Sequence, residues 1–352
     1  MPSRIACPIK PPTTVIVTGA NGFIAQHCIS LLLRTGYSVV GTVRTWSKIE
    51  PVKATHNSHP HLDIVVVDDI TSAQCYCDAF AGLTPSAILH LAAPFHYNVS
   101  DFERDLMIPA VQGSTAILEA ATHFKTVQRV VHTNSFACIY DAASGPCPEK
   151  TYTSKDWSPL TYEDGLNAPN APTAYRASKT AAEKAAWTFM RERKPGFDLV
   201  SLCPTMVFGP FLPGSKPKTI QDVNTSNLLV WSVVSAGKDQ PIPPTRGPCW
   251  VDVRDVADAH VNALLVPEAG GSRYMLCQGV YCNQELADVS RKVTSKYRER
   301  IPIGEPGLRE SHLHFGVDAS DAERVLGLKW RTLEDSLADL VPQLFETERT
   351  QV

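Results

Sequence analysis

The stretch Val15-Ile16-Val17-Thr18-Gly19-Ala20-Asn21-Gly22-Phe23-Ile24-Ala25 constrains the fold of this chain more than any other. An apolar run ends in Thr18, two glycines follow three apart, and an amphipathic pattern then begins. That order reads as strand, tight turn and helix. Gly19 and Gly22 leave backbone room where a side chain would block a bulky anion. A helix starting near Gly22 turns unpaired N–H groups and the positive end of its dipole toward that turn. The physical reading is a cradle for a pyrophosphate.

The same texture repeats. Strands are expected at 14–18, 38–43, 64–67, 87–91, 129–133 and 198–203, with helices at about 23–35, 73–81, 108–124 and 174–193 between them. The strands are near-continuous Val/Ile/Leu runs, as in a parallel sheet covered on both faces. Right-handed crossovers then give a doubly wound α/β sheet of the Rossmann type, with ligands at the carboxyl ends of the strands. Residues 1–12 form a polar, proline-rich arm. Residues 13–209 are the nucleotide-binding unit. After 209 prolines break the pattern, and residues 210–352 make a smaller α/β substrate lobe, with a segment near 249–270 returning to the sheet.

Composition limits the functions open to such a fold. The 352 residues carry a net charge of −3 and no long basic or apolar run, so neither nucleic acid nor membrane is an expected partner. The first eight residues hold no apolar core, so no secretory signal is expected. The ten cysteines are scattered as in reduced cytoplasmic proteins. Cys75-Tyr76-Cys77 lacks metal-site spacing, and His56, His59 and His61 sit in a polar loop, so no metal is expected.

Two further clusters carry chemistry. Tyr175 and Lys179 are four apart and share a face of a helix. An ammonium beside a phenol favours the phenolate, which lets the tyrosine exchange a proton near neutral pH. Ser135, at the end of the fifth strand, is placed to hydrogen-bond a carbonyl oxygen beside the nicotinamide half of a dinucleotide, or simply to cap a loop. At the end of the second strand the acid that would hold an NAD ribose is missing. Arg44 and Lys48 stand there, which favours the 2′-phosphate of NADP.

Six motifs occur in order: Thr18-Gly19-x-x-Gly22-x-x-Ala25, His90-Leu91-Ala92-Ala93-Pro94-Phe95, Pro109-Ala110-Val111-x-Gly113, Tyr175-x-x-x-Lys179, Cys203-Pro204-Thr205-Met206-Val207-Phe208-Gly209-Pro210 and Val251-Asp252-Val253-Arg254-Asp255-Val256-Ala257. Together they resemble the extended short-chain dehydrogenase/reductases. The branch they resemble holds the dihydroflavonol, cinnamoyl-CoA and yeast and fungal aldehyde-ketone (methylglyoxal) reductases. The resemblance implies that Gly19, Gly22, Phe23 and Ile24 meet the pyrophosphate and that Arg44 and Lys48 hold the 2′-phosphate. It implies that Asp69 and Ile70 flank the adenine, that Ala92, Ala93 and Pro94 pass the cofactor ribose, and that Pro204 and Val207 lie against the nicotinamide. Tyr175 is implied as acid/base, Lys179 as the nicotinamide-ribose ligand, and Ser135 as the group orienting the carbonyl. Many relatives have two serines after the strand-five threonine; here the first is Asn134.

The expectation is an NADPH-dependent carbonyl reductase acting on a fairly hydrophobic ketone or aldehyde. Phe95, Phe136, Tyr140, Met206 and Trp231 are the candidate pocket residues, and the protein is expected as a monomer or homodimer. The alternatives are a pathway-specific ketoreductase of secondary metabolism, a nucleotide-sugar epimerase or dehydratase with bound NAD, and a non-catalytic NADP-sensing scaffold. Asp252-Val253-Arg254-Asp255 is expected to be an ion-pair corner between sheet and lobe, not a catalytic group.

Overall fold

The computed structural model describes residues 7–93, 99–310 and 314–350. The chain builds β1 (Thr14–Thr18), α1 (Phe23–Arg34), β2 (Ser38–Val43), α2 (Ile49–Thr55), β3 (Leu62–Val66), α3 (Ala73–Ala79), β4 (Ala87–His90), α4 (Ile108–Thr122) and β5 (Arg129–Thr133). It continues through β6 (Thr151–Thr153), α5 (Tyr162–Leu166), α6 (Ala171–Arg193), β7 (Asp198–Pro204), β8 (Met206–Phe208) and α7 (Thr225–Val234). β9 (Cys249–Asp252), α8 (Val253–Leu265), β10 (Ser272–Leu276), β11 (Gly279–Val280), α9 (Asn283–Val293), β12 (Gly316–Asp318), α10 (Ser320–Leu326) and α11 (Leu333–Arg349) complete it.

The central sheet has seven parallel strands in the order β10-β7-β5-β4-β1-β2-β3. Alternate side chains serve opposite layers. Val15 and Val17 of β1 join α1 and α8 in one core, while Ile16 joins α3, α4 and α6 in another. The strand order reverses between β1 and β4, which are paired with Thr18 opposite His90. A crevice at such a reversal is where a nucleotide binds in this architecture. A three-stranded sheet (β11-β9-β8) and helices α7, α9 and α11 form a further layer around Phe208, Trp250 and Phe345.

Several local features differ from the sequence expectation. The polar stretch after Lys48 contains α2, with Pro51 inside its first turn, where a missing N–H costs nothing. The loop expected to run to Thr173 contains β6 and α5, and β6 is paired with the distant β12. α6 begins at Ala171 because the Asn170 side chain accepts from Thr173 N–H at 3.0 Å. β10 follows the 249–270 segment and supplies the seventh strand of the sheet.

Candidate active site

The cradle is built by the β1–α1 turn. Gly19 lies at φ +68°, and a Cβ there would sit 3.0 Å from Ala92 Cα at the end of β4. Thr42 of β2 supports the turn from the other side, accepting from Gly19 N–H at 3.2 Å on its hydroxyl and from Ala20 N–H at 2.8 Å on its carbonyl. Gly22 caps α1 without a side-chain partner, and the first turn of α1 holds no acid. Asn21 and Gly22 are exposed, so the helix dipole faces open space. Thr18 Oγ1 accepts from Leu91 N–H at 3.0 Å and Ala92 N–H at 2.9 Å, which clasps the ends of β1 and β4 together. These features fit a dinucleotide pyrophosphate, and they bring Gly19, Gly22, Phe23, Ile24 and Ala92 to one crevice.

The ends of β2 and β3 supply the neighbouring groups. Arg44 follows the last residue of β2, and both Arg44 and Lys48 are exposed. The Asp69 carboxylate accepts from Thr71 N–H at 2.8 Å and Thr71 Oγ1 at 2.6 Å. Those two bonds, with the nearby Arg44 charge adding to them, hold it below the usual carboxylate range. Ile70 packs toward Gly113 of α4. A guanidinium near a fixed carboxylate, with Lys48 exposed four residues on, suits a ribose phosphate and the adenine next to it.

On the other side of the crevice, α6 presents Tyr175 half-buried and Lys179 buried. Lys179 Nζ lies 5.7 Å from the centre of the Tyr175 ring. Burial pushes the Lys179 ammonium down to about 8, partly offset by the neighbouring Cys138 and Cys203. Ser135 leaves β5 in an extended conformation and accepts from Ala137 N–H at 3.2 Å. The loop-capping role weighed for it is therefore real, and its hydroxyl proton remains available to a ligand. Asn134 turns inward, with Nδ2 donating to Glu183 Oε2 at 2.9 Å and to Lys179 O at 3.2 Å.

Sequence reasoning missed the group behind this face. Glu183, one turn beyond Lys179, is completely buried and receives both Arg273 Nε at 3.0 Å and Nη2 at 2.9 Å. The Arg273 guanidinium stacks 3.8 Å from the centre of the Trp157 ring. Cys138 and Cys203 lie against the same carboxylate, their sulfurs 3.7 Å apart. Two thiols and a carboxylate could attract a metal, but Arg273 and Asn134 already occupy the Glu183 oxygens. The one available signal was the spacing Tyr175, Lys179, Glu183 on a single helical face.

The expected pocket residues are distributed unevenly. Phe136 and Tyr140 stack 5.0 Å apart and join Tyr152 and Phe315 in an aromatic cluster, with Phe136 buried. Arg176 Nε donates to the Tyr140 hydroxyl at 2.9 Å. Pro204 ends β7, and Met206 and Val207 of β8 lie beside Ser226, which accepts from Val207 N–H at 3.2 Å. Trp231, partly buried, packs edge-on against Phe345 of α11, 5.2 Å between centres, at the margin of the outer core. Pro94 and Phe95 lie outside the described residues. Arg254 joins Asp252 at 2.8 Å to Asp339 of α11 at 2.6 Å, and Arg331 pairs with Asp255, so that corner is an ion-pair tie.

The family model described as "NAD dependent epimerase/dehydratase family" matches residues 15–277. The chain is 34% identical over 343 residues to the NADPH-dependent methylglyoxal reductase of Saccharomyces cerevisiae, covering 95% of this chain and 99% of the yeast protein. It is also 34% identical over 340 residues to the ketoreductase azaE of Aspergillus niger, covering 94% and 97%. The crystal structure of the yeast methylglyoxal/isovaleraldehyde reductase complexed with NADPH superimposes with a TM-score of 0.88 over 95% of this chain and 98% of that one.

Proposed function

We propose that this chain, which belongs to the NAD dependent epimerase/dehydratase family of extended short-chain dehydrogenase/reductases, is an NADPH-dependent carbonyl reductase. Its substrate is a fairly hydrophobic ketone or aldehyde, and its product the corresponding alcohol. The observation that carries the reading is the Tyr175–Lys179 pair on α6, set across the crevice from the glycine turn, with Arg44 in place of an acid after β2. The NADPH named for the yeast relatives supports the cofactor.

When bound, NADPH supplies the hydride that reaches the carbonyl carbon. The chain's own residues do the rest. The first-turn N–H groups of α1 hold the pyrophosphate, and Arg44 and Lys48 hold the 2′-phosphate. Asp69 and Ile70 would flank the adenine, Ala92 and Ala93 would pass the ribose, and Pro204 and Val207 would back the nicotinamide. Ser135 donates its hydroxyl proton to the carbonyl oxygen, and Tyr175 delivers a proton to the alkoxide that develops there. Lys179 favours the tyrosinate that remains and binds the nicotinamide ribose.

The ketoreductase relative supports a second reading within the same chemistry, in which the substrate is one dedicated biosynthetic ketone. Arg44 and Asn134 weigh against an epimerase holding NAD. Among the described residues no helix is long and apolar enough to cross a membrane. We place the protein in the cytoplasm, as a monomer or homodimer, with all ten cysteines free. The test is purified protein with NADPH and a panel of aryl ketones and aliphatic aldehydes, followed by loss of NADPH absorbance. No turnover on any of them sinks the reading, and NAD released on denaturing a fresh preparation favours the epimerase.

A further inference from the structure

Three side chains below the strand ends have their protons fixed by their neighbours. The Ser114 hydroxyl donates to Ala110 O at 2.9 Å. We assign that proton to Ala110 O, which makes the 2.9 Å contact to His132 a bond accepted from Nε2–H. His132 therefore keeps a bare lone pair on Nδ1, and this atom is buried with no protein partner among the described residues. Thr18 Oγ1 already accepts two backbone N–H groups, so its own proton goes to His90 Nδ1 at 3.0 Å. His90 is then protonated on Nε2. Asn134 Nδ2 is oriented by Glu183 Oε2 and Lys179 O, which leaves Asn134 Oδ1 as a second buried acceptor without a protein partner.

His90, His132, Asn134 and Lys179 line one small cavity of about 10 Å³. That is room for a single water. The residues lining it offer two buried acceptors, His132 Nδ1 and Asn134 Oδ1, and two donors, the Lys179 ammonium and His90 Nε2–H. One water satisfies all four, giving two protons and accepting two. An anion would meet two lone pairs, and a metal cation would meet Lys179, so neither fits the donor set.

We propose that this cavity is a built water site, and that His132 and Asn134 are positioning residues that hold the Lys179 ammonium through the water. The inference rests on the reductase reading only for the role of Lys179; the site itself stands on geometry. A water accepting from the ammonium favours its charged form and fixes the direction in which it points. The other ionisable groups around Lys179 are Tyr175 and Glu183 on α6, His90 on β4, Cys138 after β5, Cys203 on β7 and Arg273 on β10. Of these, His90 stacks on His132 with 5.5 Å between ring centres, and burial holds it neutral, so it adds no charge when His132 is changed. Both imidazoles are held neutral by burial, which keeps His132 Nδ1 an acceptor at neutral pH.

The test uses the cofactor-free full chain in three forms: wild type, His132→Phe and His132→Gln. Phe fills the cavity and removes the acceptor, while Gln restores an acceptor oxygen. A high-resolution crystal structure of the wild type is expected to show one water within hydrogen-bond distance of Lys179 Nζ, His132 Nδ1 and Asn134 Oδ1. Carbon-13 NMR of labelled lysine, with the Lys179 signal identified by its loss in Lys179→Met, is expected to place the His132→Phe titration about half a pH unit or more below wild type. His132→Gln is expected to return toward the wild-type value. No water in the wild-type cavity, or an unchanged Lys179 titration in His132→Phe, overturns the proposal. If His132→Phe fails to fold, the presence or absence of the wild-type water decides it. Neither readout involves turnover, so a protein that reduced no carbonyl would refute the reductase reading without touching this one.

Discussion

Lys179 Nζ stands 5.7 Å from the centre of the Tyr175 ring, one helical turn along α6 and shielded from solvent. A cation in that place acts on the phenol chiefly through charge. Tyr175→Phe keeps the packing and removes the proton donor. It is expected to lower kcat by about a hundredfold or more, the usual scale of a positioned general acid, with NADPH affinity largely kept. Steady-state kinetics with a fluorescence titration of the cofactor checks both parts; wild-type turnover in Tyr175→Phe would remove it from the chemistry.

The pH profile follows from the same pair. Burial pushes Lys179 down to about 8, so its charge is lost as the pH rises past that value. The tyrosinate then loses its stabilising cation. We expect kcat/KM to fall on the alkaline side near pH 8 in the wild type. Lys179→Arg retains a charge at every accessible pH, and its alkaline limb is expected to flatten at a lower plateau. An identical limb in the two proteins would assign it to another group.

Cofactor choice depends on Arg44, the first residue beyond β2. Arg44→Asp exchanges a phosphate ligand for a ribose-type acid. A charge-assisted contact is worth about 1.5–3 kcal/mol, so the NADPH to NADH preference should fall by roughly tenfold or more. The ratio of kcat/KM for the two cofactors measures it, and an unchanged ratio would take Arg44 out of the site.

Arg273 and Glu183 form a pair with little solvent contact, their side chains 10% and 0% exposed. Removing one partner leaves the other charge uncompensated. Arg273→Leu is expected to destabilise the protein by about 3–5 kcal/mol, and Arg273→Leu with Glu183→Leu by less than the first alone. Denaturant unfolding of the single and double variants gives the comparison, and equal losses would show that the carboxylate does not need the guanidinium.

Acid should destabilise the protein through its buried imidazoles. Burial lowers His27, His56, His132 and His260 to about 4, each below its ordinary 6.5. Between those values the unfolded chain binds protons that the folded chain refuses. The stability they confer is therefore complete above about pH 6.5 and is lost as the pH falls toward 4. Each such group contributes up to about 1.4 kcal/mol per pH unit in that window. Melting temperatures measured from pH 7 to 5 should drop, and His260→Asn should drop less; a flat profile would contradict the burial.

The parts of the fold legible in the sequence are those with local causes. β1, its glycine turn and α1 are specified by eleven neighbouring residues, and β2, β4 and β5 by apolar runs. β6 was invisible because its register, Thr151 opposite Gly316, is set by a strand far along the chain. The site shows the same division. Tyr175 and Lys179 are read from one helical spacing, and Arg44 from its place after β2. Glu183 looked like one more polar residue on an alanine-rich helix until β10 brought Arg273 to it. Phe136 and Trp231 were chosen for ring size; the structure adds that Phe136 stacks on Tyr140 and that Trp231 packs edge-on against Phe345.

The position of β10 has a consequence for anyone cutting this chain. Strand β7 is paired on one side with β5 and on the other with residues 272–276. A fragment ending at residue 209 would therefore present the whole length of β7 as an unprotected edge, its side chains entirely apolar or buried. Such an edge recruits other chains. The nucleotide-binding half is thus expected to aggregate when expressed alone, and a hybrid of two reductases should take its junctions from sites that keep β10 with the sheet it closes.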